Sequence, residues 1–337
     1  MQQEEDKMAA QAVKNDNIFV RFGRGVVTYF KENVAVLLAF LILVVVMTIL
    51  SPVFLTWDNF SNVLRQATTT WNLALGLTMA IIINGIDLSV GSVVAVSGTL
   101  TAGFISNNGM NIWLAMLLGF LIGALFGVVN GFIIAYTGMP PFVVTLATQF
   151  IGRGAAYVYA NGQPIRCLVD EFNVIGTGYL GFIPIPVVIS LVLFIIMVIV
   201  LGQSKFGRHL YAVGGNEEAA RFSGISIKKV KIIVYTLSGI FSSIAGIVLA
   251  ARMYSGQPGA GQGAEMDAIA ASVLGGVSFL GGVGKLGGVM VGILVIQFMS
   301  NGLNLLNVNS FWQYIVKGVI ILAAVYLDII RKSRQKF

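Results

Sequence analysis

The segment Asn33–Phe54 contains no charged residue, and apolar stretches of similar length recur as far as Ile330. A helix needs about 20 predominantly apolar residues to cross the hydrocarbon layer of a bilayer. No other feature limits the possible folds so strongly. Hydrophobic residues make up 57% of the chain and charged residues 10%, against about 25% charged in a typical soluble domain. One water-soluble core could not bury that much apolar side chain, so the bilayer must serve as solvent. A membrane β-barrel would instead show short segments of alternating polarity. The chain reads as an all-α polytopic membrane protein.

Punctuation by Gly, Pro and polar residues divides it into about ten transmembrane helices of membrane length. The expected spans are Asn33–Phe54, Phe60–Asn84, Leu88–Ser106, Trp113–Tyr136 and Phe142–Ala160, then Ile185–Leu201, Lys231–Ala251, Met266–Leu280, Leu286–Leu306 and Phe311–Ile330. The second, third and eighth are polar or short, which suggests broken or re-entrant helices. Residues 1–32 read as a cytoplasmic tail with a short amphipathic portion (Ile18, Phe19, Val20, Phe22), residues 33–330 as the transmembrane domain, and residues 331–337 as a second, cytoplasmic tail. No cleavable signal peptide is expected. Sixteen of the 21 Lys and Arg residues fall in the two tails and the loops after even-numbered spans. The positive-inside rule then puts both termini and the loop 202–230 in the cytoplasm. The net charge of +7 is thus a topology signal and does not imply a nucleic-acid partner.

Some motifs read as packing or anchoring. Gly119, Gly123, Gly127 and Gly131 place small residues on one helix face, the pattern of close helix packing. Trp57, Trp113 and Trp312 lie near outer span ends, as interfacial anchors do. The segments Asn84–Gly91 and Gly275–Gly282 are both Gly-punctuated interruptions between apolar runs. They read either as a chance likeness in a chain with 40 glycines or as an internal repeat with paired breaks.

Polar residues inside apolar runs are the candidates for a pathway or gate: Asn84, Asp87, Ser89, Arg153, Glu265 and Asp267. Ionisable groups at membrane depth are costly and usually face a cavity, a partner or a helix end. Asp87 and Ser89 also fit an N-terminal helix cap, and Glu265 and Asp267 also fit the positive end of a helix dipole. Arg153 either lines an aqueous cavity or forms an internal ion pair, for example with Asp87. Lys317 either snorkels or pairs with a neighbour, and Asn130 and Gln149 suit interhelical hydrogen bonds. One histidine (His209) and one cysteine (Cys167) exclude an intrachain disulfide and a metal cluster of usual spacing. No nucleophile–base set for an enzyme can be assembled.

The loop 202–230 is a polar island between apolar runs. Within it Gly214, Gly215 and Asn216 suit a turn that ends in a helix N-cap. Glu217, Glu218, Ala219, Ala220, Arg221 and Phe222 then suit a short helix, with acidic residues in its first turn and Ser223 and Gly224 at its end. It is either a plain connector or a knob that fits a groove on a cytoplasmic partner.

The run Gly207–Ile225 resembles the coupling loop of sugar permeases of the ribose and galactoside type, within the ATP-binding-cassette importer superfamily. Gly85–Ser92, Glu265–Ala271 with Val273–Gly276, and Trp312–Gly318 resemble further blocks of that family in the same order. The resemblance covers about residue 40 to the end. It implies a permease subunit for a monosaccharide (ribose-, galactose- or xylose-like) or related polyol in the bacterial plasma (inner) membrane. The implied partners are a second permease chain, identical in a homodimer, a cytoplasmic ATPase that binds residues 214–224, and an extracytoplasmic sugar-binding protein. The chain has no Gly-x-x-x-x-Gly-Lys-Ser/Thr phosphate loop. ATP and Mg are accordingly expected on the ATPase subunit, with no cofactor in this chain. The reading from residues alone also leaves open an ion-coupled secondary carrier for a small polar solute, supported by Asp87, Glu265 and Asp267.

Overall fold

A computed structural model describes residue 34 and residues 36–334. The amphipathic stretch expected at residues 18–22 lies outside them. The first helices are α1 (Val36–Leu50), α2 (Trp57–Ile82), α3 (Val90–Ser106), α4 (Ile112–Thr137) and α5 (Pro141–Tyr159). A polar insert follows, with α6 (Asp170–Thr177) and two short pairings: β1 (Ile165–Arg166) with β4 (Ser255–Gly256), and β2 (Tyr179–Leu180) with β3 (Ile183–Pro184). Then come α7 (Ile185–Gln203), α8 (Lys205–Gly215), α9 (Glu217–Phe222), α10 (Ile227–Arg252), α11 (Ala264–Leu274), α12 (Leu286–Leu305) and α13 (Ser310–Arg334).

Local chemistry sets most boundaries. Thr56 caps α2 by accepting from the Asn59 amide, and Asn111 caps α4 by accepting from Trp113 and Leu114. Gly138 closes α4 in the left-handed region at φ 73°, and Pro140-Pro141 then starts α5, as the fixed proline φ favours at a first turn. Among the described residues, α4, α7, α10 and α12 are long and apolar enough to cross a membrane; α1 and α3 are shorter apolar helices. Large apolar side chains such as Ile42, Ile49, Leu121, Phe150 and Val158 are exposed on the protomer, which suits a hydrocarbon solvent.

The expected span Met266–Leu280 is corrected. Its helix, α11, stops at Leu274 after 11 residues, about 16 Å at 1.5 Å per residue, roughly half a bilayer core. Gly276, Gly281 and Gly282 adopt φ of 86°, 71° and 71°, so residues 275–285 form a break that leads into α12. The interruption between α2 and α3 is similar, with Asn84 at φ 59°. The chain thus holds two helix–break–helix units.

Helix α10 is the hub, buried along most of its length between α2, α3 and α4. The glycine stripe of α4 lies directly on it. A Cβ at Gly123 would meet Ser243 and the Gly239 carbonyl, one at Gly127 would meet the Tyr235 carbonyl, and one at Gly131 would come 2.7 Å from the Ile232 Cα. Small residues on both helices permit backbone contact, which drives association where lipid is as apolar as leucine.

Candidate functional site: the polar loop and the two helix breaks

The loop 202–230 is two helices set end to end. The Ser204 hydroxyl accepts from the Gly207 amide and starts α8. Leu210, Val213 and Gly214 bury one face of it, while Arg208 and His209 are exposed. The expected turn at Gly214-Gly215-Asn216 is shorter than the sequence suggests. Both glycines complete the last turn of α8, and a single extended residue, Asn216 (φ −158°), separates it from α9, which its side chain caps by accepting from the Ala219 amide at 2.9 Å. Ala220 is buried, Gly224 has φ 79°, and the Ile225 amide returns to the Ala220 carbonyl at 3.0 Å.

Glu217 holds α9 to the start of α10 through Lys231, at 2.9 Å, and meets Arg221 at 3.7 Å. Both pairs are open enough to water to add little to stability; their effect is orientation. Phe222 is 91% exposed. The result is a capped and braced single-turn helix that presents an aromatic ring to solvent.

Gly214 lies against both breaks. A Cβ there would strike the Ile82 carbonyl and come 2.8 Å from the Gly282 amide. That amide donates to that same carbonyl at 2.8 Å, joining the second break to the first. Asn84 donates to the Gly214 carbonyl at 3.1 Å and packs on Gly281. The Tyr211 hydroxyl donates to the Gly284 carbonyl at 2.7 Å. Three segments distant in sequence (residues 82–84, 211–215 and 281–284) therefore meet in one hydrogen-bonded junction. Asn84 was legible as a candidate. Tyr211 and Gly284 were not, although an aromatic residue three positions before Gly214 shares its helix face.

The other candidates form separate groups. Asp87 is buried. One carboxylate oxygen accepts from the Ser89 amide and hydroxyl at 3.0 and 2.6 Å, and the other from the Ser238 hydroxyl of α10 at 2.7 Å. Asn130 of α4 donates to the Ser89 hydroxyl at 3.0 Å. Ser89 occupies the N-cap position of α3 without a capping side-chain bond, so Asp87 and Ser89 pin the first break to α10 and α4 and do not form a simple cap. Arg153 does not pair with Asp87. It donates to the carbonyls of Pro258 and Ala260, at 2.9 and 2.6 Å, and of Gly91, at 3.2 Å. The geometry favours this because a guanidinium has several donors in a fixed fork and the α10–α11 connection offers converging carbonyls.

Glu265 and Asp267 both sit in the first turn of α11 but face different surroundings. Glu265 is buried, accepts from Gln149 at 3.3 Å and interacts electrostatically with Arg153. Asp267 pairs with Lys317 of α13, with Nζ 2.8 Å from Oδ1 and 3.0 Å from Oδ2. Among the described residues, no group of three His, Cys, Asp or Glu side chains is placed to hold a metal ion.

Long apolar helices together with two helix–break–helix units joined at the polar loop define a polytopic helical membrane protein. The chain belongs to the family described as "Branched-chain amino acid transport system / permease component", which matches residues 59–325. It is 45% identical over 293 residues to the ribose import permease protein of Bacillus subtilis (strain 168), covering 86% of this chain and 91% of the relative. It is 43% identical to the ribose import permease protein of Escherichia coli (strain K12), covering 87% and 92%. It is 35% identical to the xylose transport system permease protein of Haemophilus influenzae (strain ATCC 51907 / DSM 11121 / KW20 / Rd), covering 84% and 92%. These relatives are named as transport permeases. No solved structure matches the chain.

Proposed function

We propose that this chain is the membrane permease subunit of an ATP-driven importer for a monosaccharide or related polyol. It would act with a second permease chain, a separate ATPase that holds ATP and Mg, and an extracytoplasmic binding protein. In this reading the chain crosses the plasma membrane about ten times, some crossings being made by short or broken helices such as α11 with the break that follows it, with both termini in the cytoplasm. Sugar is favoured over amino acid because relatives that match over most of their length are named for ribose and xylose, whereas the family description is broader than any one substrate.

The observation that carries the proposal is the exposed Phe222 on a helix capped by Asn216 and tied to α10 by the Glu217–Lys231 pair. An aromatic side chain presented to water on a positioned helix suits a partner's groove, where a few buried anchors carry most of the binding energy. Residues 214–224 would dock on the ATPase, and the Tyr211–Gly214–Asn84 junction would pass movement to both breaks. For ATP to drive the cycle, it must bind the two conformations with different affinity. Within the chain, Asn84 acts at the gate, Asp87 and Ser89 pin it, and Arg153 and Glu265 hold the outer end of α11.

The test is reconstitution in liposomes with the ATPase and binding protein. A Glu217→Ala/Arg221→Ala double variant should reach the membrane normally yet lose sugar uptake and sugar-stimulated ATP hydrolysis. Wild-type uptake by that variant would remove the loop from the mechanism. A buried Asp87 that meets only neutral hydroxyl and amide donors supports a second reading, an ion-coupled carrier, which predicts uptake by this chain alone under an imposed proton gradient.

A further inference from the structure

A cavity of about 310 Å³ lies between α11 and α13, bounded by Gln262, Asp267, Gln313, Tyr314, Lys317 and their neighbours. Between Phe311 and Val325, Gln313 and Lys317 are the only amide or charged side chains. They stand four residues apart, on one face of the helix, and both turn toward this cavity. Polar groups gathered on one face of a membrane helix turn to paired polar partners or to a water-filled cavity, and these two do both, among apolar neighbours such as Met266 and Ile321.

The donors and acceptors suit hydroxyl groups. Both Asp267 oxygens face the Lys317 ammonium, which satisfies the charges and still leaves lone pairs and N–H groups for further hydrogen bonds. Gln313 donates to Asn304 at 2.7 Å, leaving its carbonyl oxygen as an acceptor. The Tyr314 ring, 63% exposed, offers a flat apolar surface to the C–H face of a sugar ring. A zwitterionic amino acid would have to break the Asp267–Lys317 pair to engage both charges, whereas hydroxyls add to the pair intact.

We propose that this cavity is a sugar subsite of the permease itself, binding one monosaccharide or cyclic polyol through Asp267, Lys317 and Gln313 with Tyr314 beneath the ring. The inference rests on the permease reading above but not on its ATPase coupling.

The experiment uses cysteine protection on the full chain with its ATPase subunit in lipid nanodiscs, without nucleotide. The native Cys167 is buried. Gly318→Cys suits the cavity wall, since a Cβ there meets nothing within 4 Å, and Met266→Cys is a second position should the first not fold. Labelling by a water-soluble maleimide is timed in D-ribose, D-xylose, myo-inositol, L-leucine or sucrose, with Asn108→Cys on the exposed α3–α4 turn as a reference. At a sugar concentration ten times the dissociation constant, protection should slow labelling about elevenfold. It should appear with at least one of D-ribose, D-xylose or myo-inositol, and not with sucrose or L-leucine or at Asn108→Cys. Failure of both cavity positions to label, equal rates in all solutes, or protection by L-leucine or sucrose overturns the assignment. Transport that stays intact while protection fails discards the subsite alone. Protection that persists while the Glu217/Arg221 variant transports normally discards the coupling reading alone.

Discussion

Adding one methyl group at Gly214 should cripple transport, whereas the same change one residue later should not. An alanine at position 214 would drive its Cβ into the Ile82 carbonyl, the acceptor for the Gly282 amide. Overpacking of this kind costs about 1–3 kcal/mol, and a strained or lost hydrogen bond adds about 0.5–1.5 kcal/mol. The strain is relieved if α8 separates from the breaks, so it acts on the contact that would carry movement. Each 1.4 kcal/mol is about tenfold, so a cost near 2 kcal/mol shifts the joined and separated states by about thirtyfold. Gly215 is the control, because a Cβ there meets nothing within 4 Å and alanine favours a helix by up to about 1 kcal/mol. Transport per ATP hydrolysed is measured in proteoliposomes containing equal amounts of each variant. Gly214→Ala should fall to about a tenth or less of the wild-type ratio, and Gly215→Ala should match wild type. Equal ratios for the two variants would refute the junction as a mechanical link.

Four further outcomes are expected. Tyr211→Phe removes the hydrogen bond to Gly284 at a cost of about 1 kcal/mol; ATPase binding should persist in pull-down while transport per ATP drops severalfold. Phe222→Ala should leave the thermal stability of the chain unchanged and weaken ATPase binding by about 2 kcal/mol, measured by titration in nanodiscs. Gly123→Val should prevent close contact of α4 with Ser243 and Gly239 and lower the unfolding temperature or the yield of folded protein in detergent. Lys317→Met alone leaves the Asp267 carboxylate without its cation at a part-buried site beside the cavity and should destabilise by about 1 kcal/mol; the double variant with Asp267→Asn should recover much of that in a denaturation assay.

The membrane class, the packing stripe and the short capped helix were legible because each rests on local rules. Apolar run length against bilayer thickness, four-residue glycine spacing, and Asn216 before Glu217 and Glu218 need no knowledge of distant residues. Arg153 shows where that logic stops. Its charge in an apolar run left two expectations, an aqueous lining or an ion pair with a group such as Asp87, yet Pro258, Ala260 and Gly91 meet it with backbone carbonyls. Carbonyls occur at every position, so no pattern of residue types announces which of them converge.

The junction beneath the loop belongs to the same category. The amino-acid sequence by itself determined that Gly214 sits in a polar loop and that residues 84–91 and 275–282 interrupt apolar runs. Only the tertiary structure decided that these three places touch, through Gly282 on Ile82, Asn84 on Gly214 and Tyr211 on Gly284. The physical reason is that helix breaks expose backbone amides and carbonyls that must find partners in a medium without water. Which partners they find depends on how α2, α8, α11 and α12 pack, a property of the whole bundle.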